Sequence, residues 1–207
     1  MSRYAQVAYT ESVQEVQREQ GSALSGIRQL AQGDSPDLMG EHEAGFIESR
    51  DGFYLASVSE TGWPYVQYRG GPPGFLHVLD ERTLAYADVR GNRQYITTGN
   101  VRAGGRVALF FMDYARQARL KIFGHAETKE LADHPELAER LDHPRTDGRV
   151  ERLMTIRVEG INWNCSQHIT PRFSEAELAE ALQPIRARIA ELEAENATLL
   201  AEAAARR

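Results

Sequence analysis

Residues 89–100 read VRGNRQYITTGN, directly after the apolar stretch Leu84-Ala85-Tyr86-Ala87. The turn brings Arg90, Asn92, Arg93 and Gln94 together around Gly91 at what reads as a helix start, with Arg102 further along. The first N–H groups of a helix have no internal partner and carry partial positive charge, so such a turn suits a phosphate. Arginine adds a planar, two-pronged donor for the same anion. A solvated turn with surface arginines has the same composition, and the turn alone leaves both readings open. Two more pieces carry cations. VQYRGG sets Gln67 and Arg69 ahead of two glycines, where a missing side chain lets a flat ligand approach the backbone. RLKIFG puts Arg119 and Lys121 two apart, hence on one face of a strand.

Other chemistries find less support. His42, His77, His125, His134, His143 and His168 are scattered without metal-ligand spacing, so no metal site is expected. There is no nucleophile elbow, P-loop or dinucleotide fingerprint. Cys165 has no evident cation to activate it and reads as a small buried hydrophobe. The 207-residue chain is 42% hydrophobic, enough to bury a core in one domain with appendages. Its formal charge of −6 offers no basic field for nucleic acid, so a cationic site has to be local. No apolar run is long enough to span a membrane, and MSRYAQVAYT lacks the pattern of a signal peptide. With one cysteine and no disulfide, the cytoplasm is the expected location.

The elements that would hold these residues fall into three stretches: an arm at 1–45, a body at 46–172 and a tail at 173–207. TESVQEVQREQ (10–20) reads as a helix with Ser12 and Glu15 as a capping box. Residues 21–44 read as a largely irregular arm with one helical turn around Ala23–Leu30. The body alternates β-rich runs with turn residues. Strands are expected at 53–59, 65–70, 75–79, 83–88, 106–114, 118–127 and 152–163, with a helix within 130–142. Short antiparallel strands with few helices argue for a closed or nearly closed barrel, because closure removes exposed edges.

The tail begins with a capping box at Ser174 and Glu177. Leu178, Leu182, Ile185, Ile189, Leu192, Asn196, Leu199 and Ala203 then recur at spacings of four and three, a heptad seam. Such a helix either docks on its own barrel or pairs with a partner helix. Asn196 at an a position and Arg188 at g facing Glu193 at e favour a parallel partner. Pro184 is expected to start the long helix afresh.

From Phe46 to Thr170, and most specifically in PYVQYRGGPPGFLHVLDERTLAYADVRGNRQY and WNCSQHITPR, the chain resembles the pyridoxamine 5′-phosphate oxidase-like superfamily of FMN-binding split barrels. The resemblance implies a mainly β (α+β) fold: an antiparallel split β-barrel of six to seven strands with peripheral helices and a long C-terminal helix. It maps the flavin ring and ribityl chain to Gln67, Tyr68, Arg69 and Gly70. The FMN phosphate maps to Asn92 and Arg93, with Gln94 adjacent, and Arg119 and Lys121 contribute from a later strand. Trp163, Gln167 and His168 line the substrate side, or His168 is a satisfied structural histidine. The implied function is an FMN-dependent oxidoreductase passing a hydride to or from a small organic substrate, as a homodimer with the flavin near the subunit interface. A non-catalytic flavin- or haem-binding protein and a deazaflavin-dependent reductase of the same fold are the alternatives. The vitamin B6 oxidases proper carry an Arg-Lys pair where this chain has Asn92-Arg93, and a Trp-Arg terminal segment where it has WNCSQHITPR. The resemblance is therefore to an uncharacterised branch, and vitamin B6 oxidation is not implied.

Overall fold

The computed structural model describes residues 3–30, 35–145, 147–164 and 166–206. These form two compact units, one of residues 1–113 and 118–167 and one of 114–117 and 168–207. Cys165 lies outside the described residues.

The first unit opens with helices α1 (Arg3–Ala8), α2 (Glu11–Glu19), α3 (Ala23–Leu30) and α4 (Glu41–Glu48). The 21–44 arm is thus more helical than its composition suggests. Helix α4 starts without a Ser or Thr cap, because the Gly40 N–H donates to the Glu43 carboxylate at 3.0 Å and Ile47 is buried on the core. An acid in the first turn also answers the helix dipole. Helix α2 is capped at Thr10 rather than Ser12, with no side-chain bond at the cap.

The strands are β1 (Gly52–Val58), β2 (Pro64–Gly70), β3 (His77–Asp80), β4 (Thr83–Val89), β5 (Arg106–Asp113), β6 (Ala118–Lys129) and β7 (Val150–Asn164). Strand β3 begins two residues later than its apolar run, because Phe75 and Leu76 are buried in the turn that Pro72, Pro73 and Gly74 impose. Proline cannot donate to a ladder, and Gly74 takes a φ of 89°. Helix α5 (Ile96–Gly104) joins β4 to β5, and a 3₁₀ turn (Leu131–Asp133) with α6 (Pro135–Arg140) joins β6 to β7.

The antiparallel sheet runs β2-β1-β5-β6-β7-β4-β3. Among the described residues β2 and β3 are its two free edges, so the barrel is split rather than closed. Its inner face is the core, with Leu55, Leu84, Leu120, Ile122, Met154 and Ile156 fully buried. Phe53 stands amid Phe75, Tyr86 and Phe111, its ring 5.3–5.9 Å from each. The outer face of the same sheet bears a row set by register: Tyr68, Tyr54, Phe110 and Lys121.

In the second unit, α7 spans Glu175–Ala205, opened by the Ser174–Glu177 capping box. The helix runs through Pro184 instead of restarting there. Proline removes one hydrogen bond, but this stretch is exposed, and water can serve the carbonyl left without a donor.

Candidate functional site

Along β4 the inward positions run Leu84, Tyr86, Asp88, so a carboxylate continues an otherwise apolar row. Strand register sets Asp88 beside Arg152 of β7, and Arg152 Nη1 donates to Asp88 Oδ2 at 2.7 Å. The other oxygen of Asp88 lies 3.1 Å from Arg69 Nη1 on β2. Strands β2 and β4 share no backbone ladder. The Arg69–Asp88 pair therefore spans the split itself, and a buried carboxylate holds two guanidiniums in fixed directions. Desolvation works against the Arg152 charge, but its bond to Asp88 outweighs this and raises the pKa.

The network continues outward. Arg152 Nη2 donates to Glu151 at 3.1 Å, Tyr95 Oη donates to the same carboxylate at 3.1 Å, and Arg90 Nε lies 3.0 Å from it. Desolvation alone would raise the Glu151 pKa, but the Tyr95 bond and the charges of Arg152 and Arg90 overcome it and hold the carboxyl below its ordinary range. The Tyr95 ring faces Arg152 at 5.1 Å.

Asn92, Arg93 and Gln94 are exposed in the turn just before α5, where Asn92 Oδ1 accepts from the Gln94 N–H at 3.1 Å. Arg93 and Tyr95 take left-handed backbone angles, φ 63° and 53°. This conformation is uncommon for non-glycine residues and turns the chain sharply into α5, with Tyr95 at its N-cap. Gln67 points inward on β2 and accepts from Thr97 Oγ1 of α5 at 2.9 Å. These residues enclose a small polar cleft of about 50 Å³, its wall formed by Gln67, Arg69, Asn92, Arg93, Gln94 and Arg152 together with the Asp88 and Glu151 carboxylates. A second cavity of about 270 Å³ shares Arg69, Asp88 and Val89 with it and adds Gly70, Phe75 and Tyr86.

Arg69 and Tyr86 lie side by side at this second cavity, with Arg69 Nε and Tyr86 Oη both buried and the guanidinium close enough to act on the phenol. A polar cleft with arginines that shares Arg69 and Asp88 with a half-apolar cavity has the chemistry to fit a flavin mononucleotide. Burial pushes the Tyr86 phenol up to about 12, against the pull of the Arg69 charge. Tyr86 thus remains a hydrogen-bond donor at any working pH. The unfolded chain ionises this group near pH 10, so stability is complete below that pH and falls as pH rises towards 12, by roughly 2–3 kcal/mol. Burial also raises Tyr4 and Tyr68 above the ordinary tyrosine range, so tyrosinate absorbance should show several late phenols, and Tyr86→Phe should remove the one titrating near pH 12; an unchanged titration in the variant would refute the assignment.

The sequence-derived residues divide by face. Gln67, Arg69, Asn92, Arg93 and Gln94 meet at the cleft, and Gly70 lies at the adjoining cavity. Tyr68 also lines the adjoining cavity, while its ring leans on Tyr54 at 5.5 Å between ring centres. Arg119 and Lys121 face outward, because Leu120 and Ile122 take the core positions of β6. One chain therefore does not bring them to the cleft. Burial and the Arg119 charge hold Lys121 below the ordinary lysine range. Trp163 secures α4: its indole N–H donates to Glu43 at 2.7 Å and its ring packs on Phe46 and His42. Gln167 and His168 are exposed in the turn after β7. Sequence reading overlooked Asp88, Thr97, Glu151 and Arg152. The available signal was an acid at the inward position of an apolar alternation, Leu84-x-Tyr86-x-Asp88.

Among solved structures, the chain is similar to a Lactobacillus delbrueckii protein provisionally described as a pyridoxamine 5′-phosphate oxidase, with 21% identity, 60% of this chain and 93% of that one covered, and a TM-score of 0.48. HupZ of Group A Streptococcus shows 18% identity over 65% of this chain and 100% of its own, with a TM-score of 0.47. An F420 reductase shows 20% identity over 62% and 100%, with a TM-score of 0.41. No curated protein matches the chain. Residues 39–155, more than half of the sequence and the whole of the cleft, match the pyridoxamine 5′-phosphate oxidase family, and the chain belongs to that family.

Proposed function

We propose that this chain is an FMN-dependent oxidoreductase acting on a small organic substrate. The carrying observation is the pair of guanidiniums, Arg69 and Arg152, that Asp88 fixes across the barrel split, in a polar cleft that shares Arg69 and Asp88 with a half-apolar cavity lined by Gly70, Phe75 and Tyr86. Bound FMN would supply the hydride-transfer chemistry, and the protein's share is to hold and orient it. Arg69, Asn92, Arg93 and Arg152 would take the phosphate, which carries nearly two negative charges. Gln67, Gly70, Phe75 and Tyr86 would flank the rest of the cofactor. The reading includes a cytoplasmic homodimer with the flavin near the subunit interface. The outward face supports the pairing, because Tyr54, Val58, Val66 and Tyr68 are exposed there together. A larger cavity of about 510 Å³, lined by Val7, Ala56, Val58, Pro64, Ala108 and Phe123 among others, opens on that face away from the cationic turn.

An absorbance scan with mass spectrometry of the released cofactor tests the proposal. FMN with reductant-driven turnover supports it; a deazaflavin, haem or no bound chromophore defeats it, and FMN without turnover reduces it to a binding protein. Arg93→Ala is expected to weaken FMN retention about ten-fold or more, since a hydrogen bond to a charged group contributes about 1.5–3 kcal/mol. Arg18→Ala, on the exposed surface of α2, should leave retention unchanged. Equal cofactor content in the two variants would remove Arg93 from the phosphate site.

A further inference from the structure

We infer that α7 pairs in parallel and in register with α7 of a second copy of this chain, as a two-stranded coiled coil. The inference is independent of the flavin reading. The helix runs for 31 residues without one buried residue. Leu178, Ile185, Ile189, Leu192 and Leu199 are 45–58% exposed. With Leu182, Asn196 and Ala203 between and after them they recur at alternating spacings of four and three, a stripe of strict a/d width, narrower than the face a helix turns to a globular core. A stripe of that width is complementary to a helix with the same repeat, and a second copy supplies one.

The flanking charges and Asn196 set the direction. In the parallel register Arg188 faces Glu193 of the partner subunit, and Asn196 meets Asn196 of the partner subunit, where each amide gains a hydrogen-bond partner. The antiparallel register that overlaps the two helices fully would set Arg186 and Arg188 against Glu193 of the partner subunit and Glu195 of the partner subunit. It would also place each Asn196 against Ile185 of the partner subunit. Exposed ion pairs contribute little, and Arg188 already has Glu191 of its own helix at 3.0 Å. An amide pressed against an aliphatic side chain loses its hydrogen bonds, a larger cost that decides for the parallel pair.

The test uses the full chain with Cys165→Ser and Ala203→Cys, a thiol at an a position near the helix C-terminus. Oxidation is expected to give a disulfide-linked species of twice the 23.2 kDa chain mass. Adding Ile189→Glu and Leu192→Glu should abolish that species while circular dichroism and any bound flavin stay unchanged. Asn196→Leu, with no added thiol, should shift light scattering towards higher oligomers. Absence of the cross-link overturns the pairing, and so does a cross-link that survives the seam glutamates. Cross-linking only in mixtures of Leu178→Cys and Ala203→Cys chains overturns the parallel direction. Flavin content is read separately, so failure of the coiled coil and failure of the flavin proposal are distinguishable.

Discussion

Asp88→Ala is expected to destabilise the folded chain by about 3–5 kcal/mol and to strip it of cofactor. Asp88 has a buried side chain, and Arg69 and Arg152, which both pair with it, are themselves largely withdrawn from solvent. Arg152 would keep Glu151, but Arg69 would lose its carboxylate and face another guanidinium across the gap. Breaking a buried pair is costlier than the pair is worth, because the remaining charge has neither water nor a counter-ion. The melting temperature should fall by roughly 6–20 °C for a chain of this size. Asp88→Asn should fall between the two, since an amide still accepts one hydrogen bond but brings no charge. Arg69 and Arg152 would then no longer point at the cleft, so under the proposed function retention of FMN should drop even below the melting transition. An Asp88→Ala protein that melts and binds like wild type would show the bridge across the split to be incidental.

Phe53→Ala should cost about 3–5 kcal/mol by the loss of a buried ring and the void it leaves. Phe53 is 1% exposed, and its ring lies against Phe75 and Tyr86, which line the cavity of about 270 Å³ beside the cleft, and against Phe111. The effect should reach the cavity, because Phe75 and Tyr86 would lose the wall that holds their rings. Phe173→Ala, at an exposed site, should stay within about 0.5 kcal/mol of wild type. Chemical denaturation of both variants decides the matter: similar midpoints would mean that the aromatic cluster relaxes freely, contrary to a close-packed core.

Much of the architecture was legible in the residue order. Runs of β-branched, aromatic and aliphatic residues between turn residues marked all seven strands to within a few residues, since such side chains suit a pleated, half-buried surface. The heptads and the Ser174–Glu177 box marked α7, and the arginine-rich turn marked one wall of the cleft. Helix α4 was missed because its start depends on Gly40 and Glu43, a weaker signal than a hydroxyl cap. Pro184 misled because proline's interior cost assumes that no water reaches the freed carbonyl, and this helix is exposed along its length.

Local patterning, then, determined which stretches are strands or helices and which of their residues face in, because these depend on near neighbours in the chain. Tertiary structure alone decided which polar residues meet. Arg69, Asp88 and Arg152 come from three strands, and two of those strands are joined by no ladder, so only the curl of the sheet brings them within 3.1 Å. The same curl separated Arg119 and Lys121 from the cleft. Alternation fixes that two residues share a face, but which face meets the cavity depends on how Leu120 and Ile122 pack in the core. That packing is a property of the whole sheet, written in no single segment.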